Sequence, residues 1–179
     1  SFTTVAGTAR NRMARIDDNG SLDVTFDPSS NGRITSVVRQ GDGKFIVGGD
    51  FTGFTPNLTT TNVARNYLAR VNEDGTIDAN YNPSPSAGVS GLAQQADGKV
   101  IVVGGFNSLT PNGATTPVTR NYVARLNTDG TLDQNFDPNA GAPVNAVAAL
   151  TNGQFLLGGS FTTLQPSAGG GLVFRNNLA

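Results

Sequence analysis

The chain has 179 residues with 12 basic against 13 acidic side chains, a net charge of −1, and neither histidine nor cysteine. That balance leaves no electrostatic footprint for nucleic acid, and no run of ~18 apolar residues offers a membrane span. Without cysteine there is no disulfide framework, zinc–thiolate site or thiol nucleophile; without histidine a Ser–His–Asp triad cannot be built.

In chain order, Ser1-Phe2-Thr3 matches Asp50-Phe51-Thr52 and Ser160-Phe161-Thr162, so the chain opens at the end of a repeated segment. Arg10-Asn11, Arg65-Asn66, Arg120-Asn121 and Arg175-Asn176 follow one another at intervals of 55 positions. Gly20, Gly75 and Gly130 keep the same interval. A fixed period of this length marks a repeat architecture. It divides the single array into a partial repeat 1–28, repeats 29–83 and 84–138, and a partial repeat 139–179.

Apolar stretches are short, rich in β-branched residues and broken by Gly, Asn, Asp and Pro, which predicts all-β structure. Within the second full copy the expected strands are Val89–Gln94, Lys99–Phe106, Asn121–Leu126 and Thr131–Phe136. Two hairpins per copy share one turn grammar. Asn72-Glu73-Asp74-Gly75-Thr76 reads as a type I turn followed by a left-handed residue, with Gly75 at positive φ and Asn72 accepting from the turn backbone. Gln95-Ala96-Asp97-Gly98-Lys99 repeats it. The turn fixes the register: Val71 faces Ile77, and Arg15–Asp23, Arg70–Asp78 and Arg125–Asp133 lie opposite across their hairpins, each pair contributing ~0.2–1 kcal/mol.

Phe45-Ile46-Val47, Val100-Ile101-Val102-Val103 and Phe155-Leu156-Leu157 are continuous apolar runs, the mark of strands covered on both faces. The glycine pairs Gly48-Gly49, Gly104-Gly105 and Gly158-Gly159 follow, where a bulge or a close backbone approach is expected. Phe51, Phe106 and Phe161, with Phe26, Tyr81 and Phe136, read as wedges packed between neighbouring copies.

These elements, R-N-x-x-A-R-x-N-x-D-G-T-x-D-x-x-F-x-P and the following x-D-G-K-x-x-V-G-G-x-F-T, resemble the delta-60 repeat, a bacterial tandem module associated with β-propellers. The resemblance covers nearly the whole chain. It implies four-stranded, blade-like antiparallel units in secreted or surface-exposed bacterial proteins, and no established activity. Asn19 and Asn152 stand where a turn aspartate is usual, Val103 replaces a glycine, and Gln154 replaces a lysine.

The Asp- and Asn-rich turns fall short of a calcium loop, because no acidic side chain occupies the final bidentate position. Paired carboxylates for glycoside hydrolysis would have to break the repeat symmetry, and the only glutamate, Glu73, sits in a turn. No catalytic, cofactor or metal residues are therefore assigned. The loops 52–64, 108–119 and 163–172 recur at one point of each copy and must emerge on one face, where a protein or glycan ligand would bind.

Two complete and two partial units fall short of the ~4–8 blades of a propeller. Three outcomes are expected from this: the chain is an excerpt of a longer array, two chains complete a ring of about six blades, or successive copies stack openly into a filament, the last two by self-association through the chain ends. The expected function is a non-catalytic, extracellular or cell-surface structural or adhesive protein, with loop-mediated ligand binding as the alternative.

Overall fold

A computed structural model describes residues 2–166 and 171–179. Among these residues there is no α-helix, and none of the structure is long and apolar enough to cross a membrane as a helix. The strands are β1 Thr4–Val5, β2 Thr8–Ala9, β3 Ile34–Arg39, β4 Phe45–Gly49, β5 Gly53–Phe54, β6 Val63–Ala64, β7 Leu68–Val71 and β8 Val89–Gln94. They continue with β9 Val100–Gly104, β10 Ser108–Leu109, β11 Val118–Thr119, β12 Val123–Leu126, β13 Val144–Ala149, β14 Phe155–Gly159, β15 Thr163–Leu164 and β16 Val173–Phe174.

Antiparallel sheets form in the orders β3-β4-β7, β8-β9-β12 and β13-β14. The hairpins joining β3 to β4, β8 to β9 and β13 to β14 turn at Gly43, Gly98 and Gly153, with φ of 87°, 84° and 84°. A Cβ is penalised there, so the turn chemistry fixes where each strand ends. The ladders begin with Ile34↔Gly49, Val89↔Gly104 and Val144↔Gly159, each followed at once by a register shift on the first strand. A side chain on Gly49, Gly104 or Gly159 would collide with the carbonyl oxygen of Arg33, Gly88 or Pro143, respectively. The expected bulge and close approach are thus both present. The glycine that matters in the middle copy is Gly104; a Cβ on Gly105 meets nothing within 4 Å.

Val71 pairs with Ile77 and Leu126 with Leu132, in the expected register, but each is a single bridge rather than a full ladder. The segment expected as a strand over Thr131–Phe136 stops early for a local reason. Asp133 Oδ1 accepts the Asn135 amide at 3.0 Å and its carbonyl accepts the Phe136 amide at 3.3 Å, so the chain turns away. Asp78 does the same with Asn80 and Tyr81. Side-chain bonds to the following backbone compete with the ladder.

The loops 52–64 and 108–119 are not plain connectors. They carry the two-stranded ribbons β5–β6 and β10–β11, and β15–β16 occupies the corresponding place in 163–172, whose residues 167–170 lie outside the described part. Each ribbon gains a third partner from the segment before its sheet, through Ser30↔Phe54, Pro85↔Leu109 and Ala140↔Leu164.

The core lies between sheets. Alternation along β4 and β7 sends Val47, Ala69 and Val71 towards Met13 and Phe26, while Ile46 and Leu68 join Val89, Leu92, Val102 and Ala124 of the next sheet. β9 and β12 repeat the division, sending Ile101, Val103 and Val123 to Val144 and Leu157. Accordingly β3 and β4 lie against β8, and β8 and β9 against β13. The rings Phe51, Phe106 and Phe161 are fully buried, and Phe26, Tyr81 and Phe136 sit in successive clusters, as wedges should.

Candidate functional site

The chemistry-bearing side chains recur as a charged knot on the outer edge of the β3-β4-β7 and β8-β9-β12 sheets, with a simpler pair in the N-terminal hairpin. In the first full unit, Arg70 on β7 meets Asp78 across the hairpin, with Nε–Oδ2 at 3.0 Å and Nη2–Oδ2 at 2.9 Å. Lys44, at the start of β4, reaches the same carboxylate oxygen at 2.9 Å. In the second unit Arg125, Lys99 and Asp133 repeat this at 3.0 and 2.8 Å. The N-terminal unit has Arg15 on Asp23 at 2.6 Å. All three expected arginine–aspartate pairs therefore form.

Each guanidinium also lies over an aromatic ring. Arg15 is 4.6 Å from the centre of Phe26, Arg70 4.5 Å from Tyr81, and Arg125 4.3 Å from Phe136. Arg15 and Arg70 then donate onward, to the carbonyls of Glu73 at 2.6 Å and Thr128 at 2.7 Å, in the turn of the following unit. One side chain thus pairs a hairpin, caps a ring and ties two units together.

The electrostatics follow from these contacts. Burial pushes the Asp78 carboxyl up, but the Lys44 ammonium, the Asn80 amide and Arg70 outweigh it and hold it at about 2. Asp23 is also held at about 2, first by the hydroxyl and amide of Thr25 and then by Arg15. Lys99 leads the lowering of Asp133. Carboxylates held this low are ionised near neutrality and have no proton to donate.

A second set of arginines is buried. Arg10 donates to the carbonyl of Val24 at 2.9 Å, and Arg65 to that of Asp78 at 3.0 Å. Arg120 reaches Gln134 Oε1 at 3.4 Å. Burial lowers the Arg65 pKa. Arg175, on the same beat, is exposed, and its side chain donates to the neighbouring Phe174 carbonyl.

The loops expected to bind ligand hold a structural clasp as well. Asn57, at φ 51°, donates to the Asp74 carbonyl at 3.1 Å and accepts the Asp27 amide at 3.3 Å. Asn112 donates to the carbonyls of Asp129, at 2.7 Å, and Asn80, and accepts the Asn82 amide at 2.8 Å. Sequence reasoning missed both, although Pro56-Asn57 and Pro111-Asn112 stand 55 positions apart within the loops expected to bind a ligand. Beside Asn112 a polar cleft of about 530 Å³ opens between residues 79–84 and 110–114, edged by Asn80, Asn82 and Ser84.

The acidic turns behave as hairpin chemistry. Asn19, Asp74 and Asp129 each accept the backbone amide two positions on, at 2.9 Å. Asn72 accepts the Gly75 amide through its backbone carbonyl at 3.0 Å, while its side chain donates to Thr76 Oγ1 at 2.9 Å. Glu73 is exposed, as expected of a turn glutamate. Among the described residues no group of three or more Asp and Glu side chains is arranged to hold a metal ion.

A family model described as a domain of unknown function (DUF5122) beta-propeller matches residues 1–26, 40–81 and 95–136. No curated protein matches the chain. The three matched stretches cover well over half of the sequence and carry the turns, knots and rings described above, and the chain accordingly belongs to the DUF5122 β-propeller family.

Proposed function

We propose that this is a non-catalytic, extracellular or cell-surface structural module with adhesive use, built from four-stranded, 55-residue blades. In this reading the fourth strand of each blade is the short segment that begins at Ile77 or Leu132. The observation that carries the reading is how the polar side chains are used. Arg70, Lys44, Asp78 and Asn57 recur with the repeat and are spent on their own unit and on its neighbour. A catalytic set needs residues that one unit has and the others lack. The surface location follows from the resemblance to delta-60 repeats in secreted bacterial proteins.

Immobilising the chain and measuring retention of bacterial cells, with a hydrolase and lyase panel on the same preparation, tests this. Retention without turnover is expected. Turnover abolished by substituting a single acidic side chain would overturn it.

A second reading, a propeller that binds glycan or protein through 52–64, 108–119 and 163–172, draws on the polar cleft at Asn80, Asn82 and Ser84. Glycan-array binding lost on replacing 108–119 would favour it over the first.

A further inference from the structure

Arg10, Arg65 and Arg120 occupy the same place in successive units, and all three are more than nine-tenths buried. Each holds the same pose, with Nη1 donating to the carbonyl of the preceding residue at 2.8, 2.7 and 2.9 Å. Two of them have a carboxylate beside them from their own unit. Arg10 Nη1 lies 3.5 Å from Asp27 Oδ2, and Arg120 Nη1 lies 3.8 Å from Asp137 Oδ2. The residue at that place in the middle unit is Asn82, and it is exposed.

Among the described residues no carboxylate forms an ion pair with Arg65. Asp78 accepts from it only through its backbone carbonyl, because Lys44 and Arg70 already hold the Asp78 side chain. The middle unit therefore sets Lys44, Arg65 and Arg70 around one carboxylate. The next unit sets Lys99, Arg120 and Arg125 around two, Asp133 and Asp137. A buried guanidinium short of a counter-charge is costly.

The surface in front of the arginine differs in the same unit. Arg10, Val24, Thr25, Asp27 and Asn57 line a cavity of about 110 Å³. The counterparts Ala79, Asn80, Asn82 and Asn112 belong to the 530 Å³ cleft described above. Ala79 is smaller than Val24, and the outward Asn82 leaves the space that the buried Asp27 takes. The smaller cavity falls below the ~300–1,000 Å³ of small-molecule sites and the larger falls within it. In the third unit the same two positions are Gln134 and Asp137, and both reach Arg120. Changes at 79 and 82 thus break the repeat at one cleft, in a chain whose other polar contacts recur. No residue lining the cleft is charged, and Asn80, Asn82, Ser84 and Thr110 offer neutral donors and acceptors.

We propose that this cleft binds an acidic saccharide, its uronate carboxylate beside Arg65 where Asp27 and Asp137 stand in the other units, and its hydroxyls against Asn80, Asn82, Ser84 and Thr110. This rests on the reading of ligand binding through the loops and names the ligand class. The carboxylate is the group that two units of this chain place against the equivalent arginine. Ring hydroxyls both donate and accept, which suits the amides and hydroxyls of the wall. An acidic peptide shares the carboxylate but brings apolar stems and fewer hydroxyls.

The test is calorimetric titration and thermal unfolding of the 1–179 chain with tri-galacturonate, its methyl ester, the neutral galactose trisaccharide of the same linkage, and tri-glutamate. Tri-galacturonate is expected to bind at least ~10-fold more tightly than the other three and to raise the unfolding midpoint. Asn82→Asp, at an exposed position, restores the carboxylate of the other units. It is expected to raise the midpoint by itself, to weaken tri-galacturonate binding at least ~10-fold, and to abolish the further rise on adding that ligand. Equal binding of acid and ester, tighter binding of tri-glutamate, no binding of tri-galacturonate at about 1 mM, or a midpoint lowered by Asn82→Asp would each overturn the proposal. Glycan-array binding that is lost on replacing 108–119 but indifferent to Asn82→Asp would sink it and leave the loop-binding reading standing. Array binding indifferent to replacement of 108–119 would count against both.

Discussion

The junction between the β3-β4-β7 and β8-β9-β12 sheets and the outer face of β13-β14 are built from the same sequence elements and end in opposite states. Ile46 at the junction is fully buried and Leu156 at the outer face is 45% exposed, although both follow an aromatic residue and precede an aliphatic one. Arg70 reaches a carbonyl of the next unit at 2.7 Å, whereas Arg125 turns to Gln95 Oε1 at 3.3 Å. What decides burial and pairing is therefore the neighbouring sheet and not the residue. Each unit is half a core, and its outer face is completed by the unit that follows.

Substitutions can break that comparison. The largest effect is expected at the backbone approach within a sheet. Gly104→Ala drives a Cβ into the Gly88 carbonyl and should cost more than about 3 kcal/mol, while Gly105→Ala, with open space around it, should stay within about 0.5 kcal/mol. Urea unfolding of the two variants checks this, and equal losses would mean that the bulge is not rigid.

Next is the position series itself. Ile101→Ala should cost about 2–5 kcal/mol, as a deep core truncation does, and Leu156→Ala in the monomer under about 1 kcal/mol. Similar losses would contradict the claim that the junction and the outer face differ.

The charged knots sharpen the contrast further. Asp78→Asn leaves Lys44 and Arg70 facing a neutral amide in a mostly buried site, and should cost about 1–3 kcal/mol. Asp23→Asn, with one cationic partner and a more open setting, should cost less.

The smallest expected effect is on pH dependence. The folded-state pKa of Asp78 is depressed from 3.8 to about 2, so its contribution is fully present above about pH 4 and is lost as pH falls towards 2. Asp78→Asn should flatten the thermal-stability profile over that window relative to the unsubstituted chain. An unchanged slope between pH 4 and 2 would mean that the knot does not hold in solution.

Much of this was legible from the sequence because the period constrains it three times over. Turn glycines, the arginine–aspartate register and the buried runs of β4 and β9 were readable from one hairpin grammar, since a turn fixes register locally, whereas the run of β14, expected to be covered on both faces, leaves Leu156 exposed. The Lys44 and Lys99 contacts were not readable. They join a turn on one strand to a carboxylate 34 positions on, and only the sheet order brings those together. The clasps at Asn57 and Asn112 were hidden because their flanking residues differ, and their partners lie in turns and in the neighbouring unit. The early end of the fourth strand was hidden for another reason. Asp78 and Asp133 accept the amide two residues on while also binding cations, and the sequence shows only the pairing role.

Native-state hydrogen exchange on the full chain carrying Leu157→Ala tests most directly whether one sheet shields the next. Leu157 lies on β14 and shares a cluster with Ile101 and Val103 of β9. The account predicts that the β9 amides lose protection together with those of β13 and β14. Loss confined to β13 and β14, with β9 as protected as in the unsubstituted chain, would contradict it.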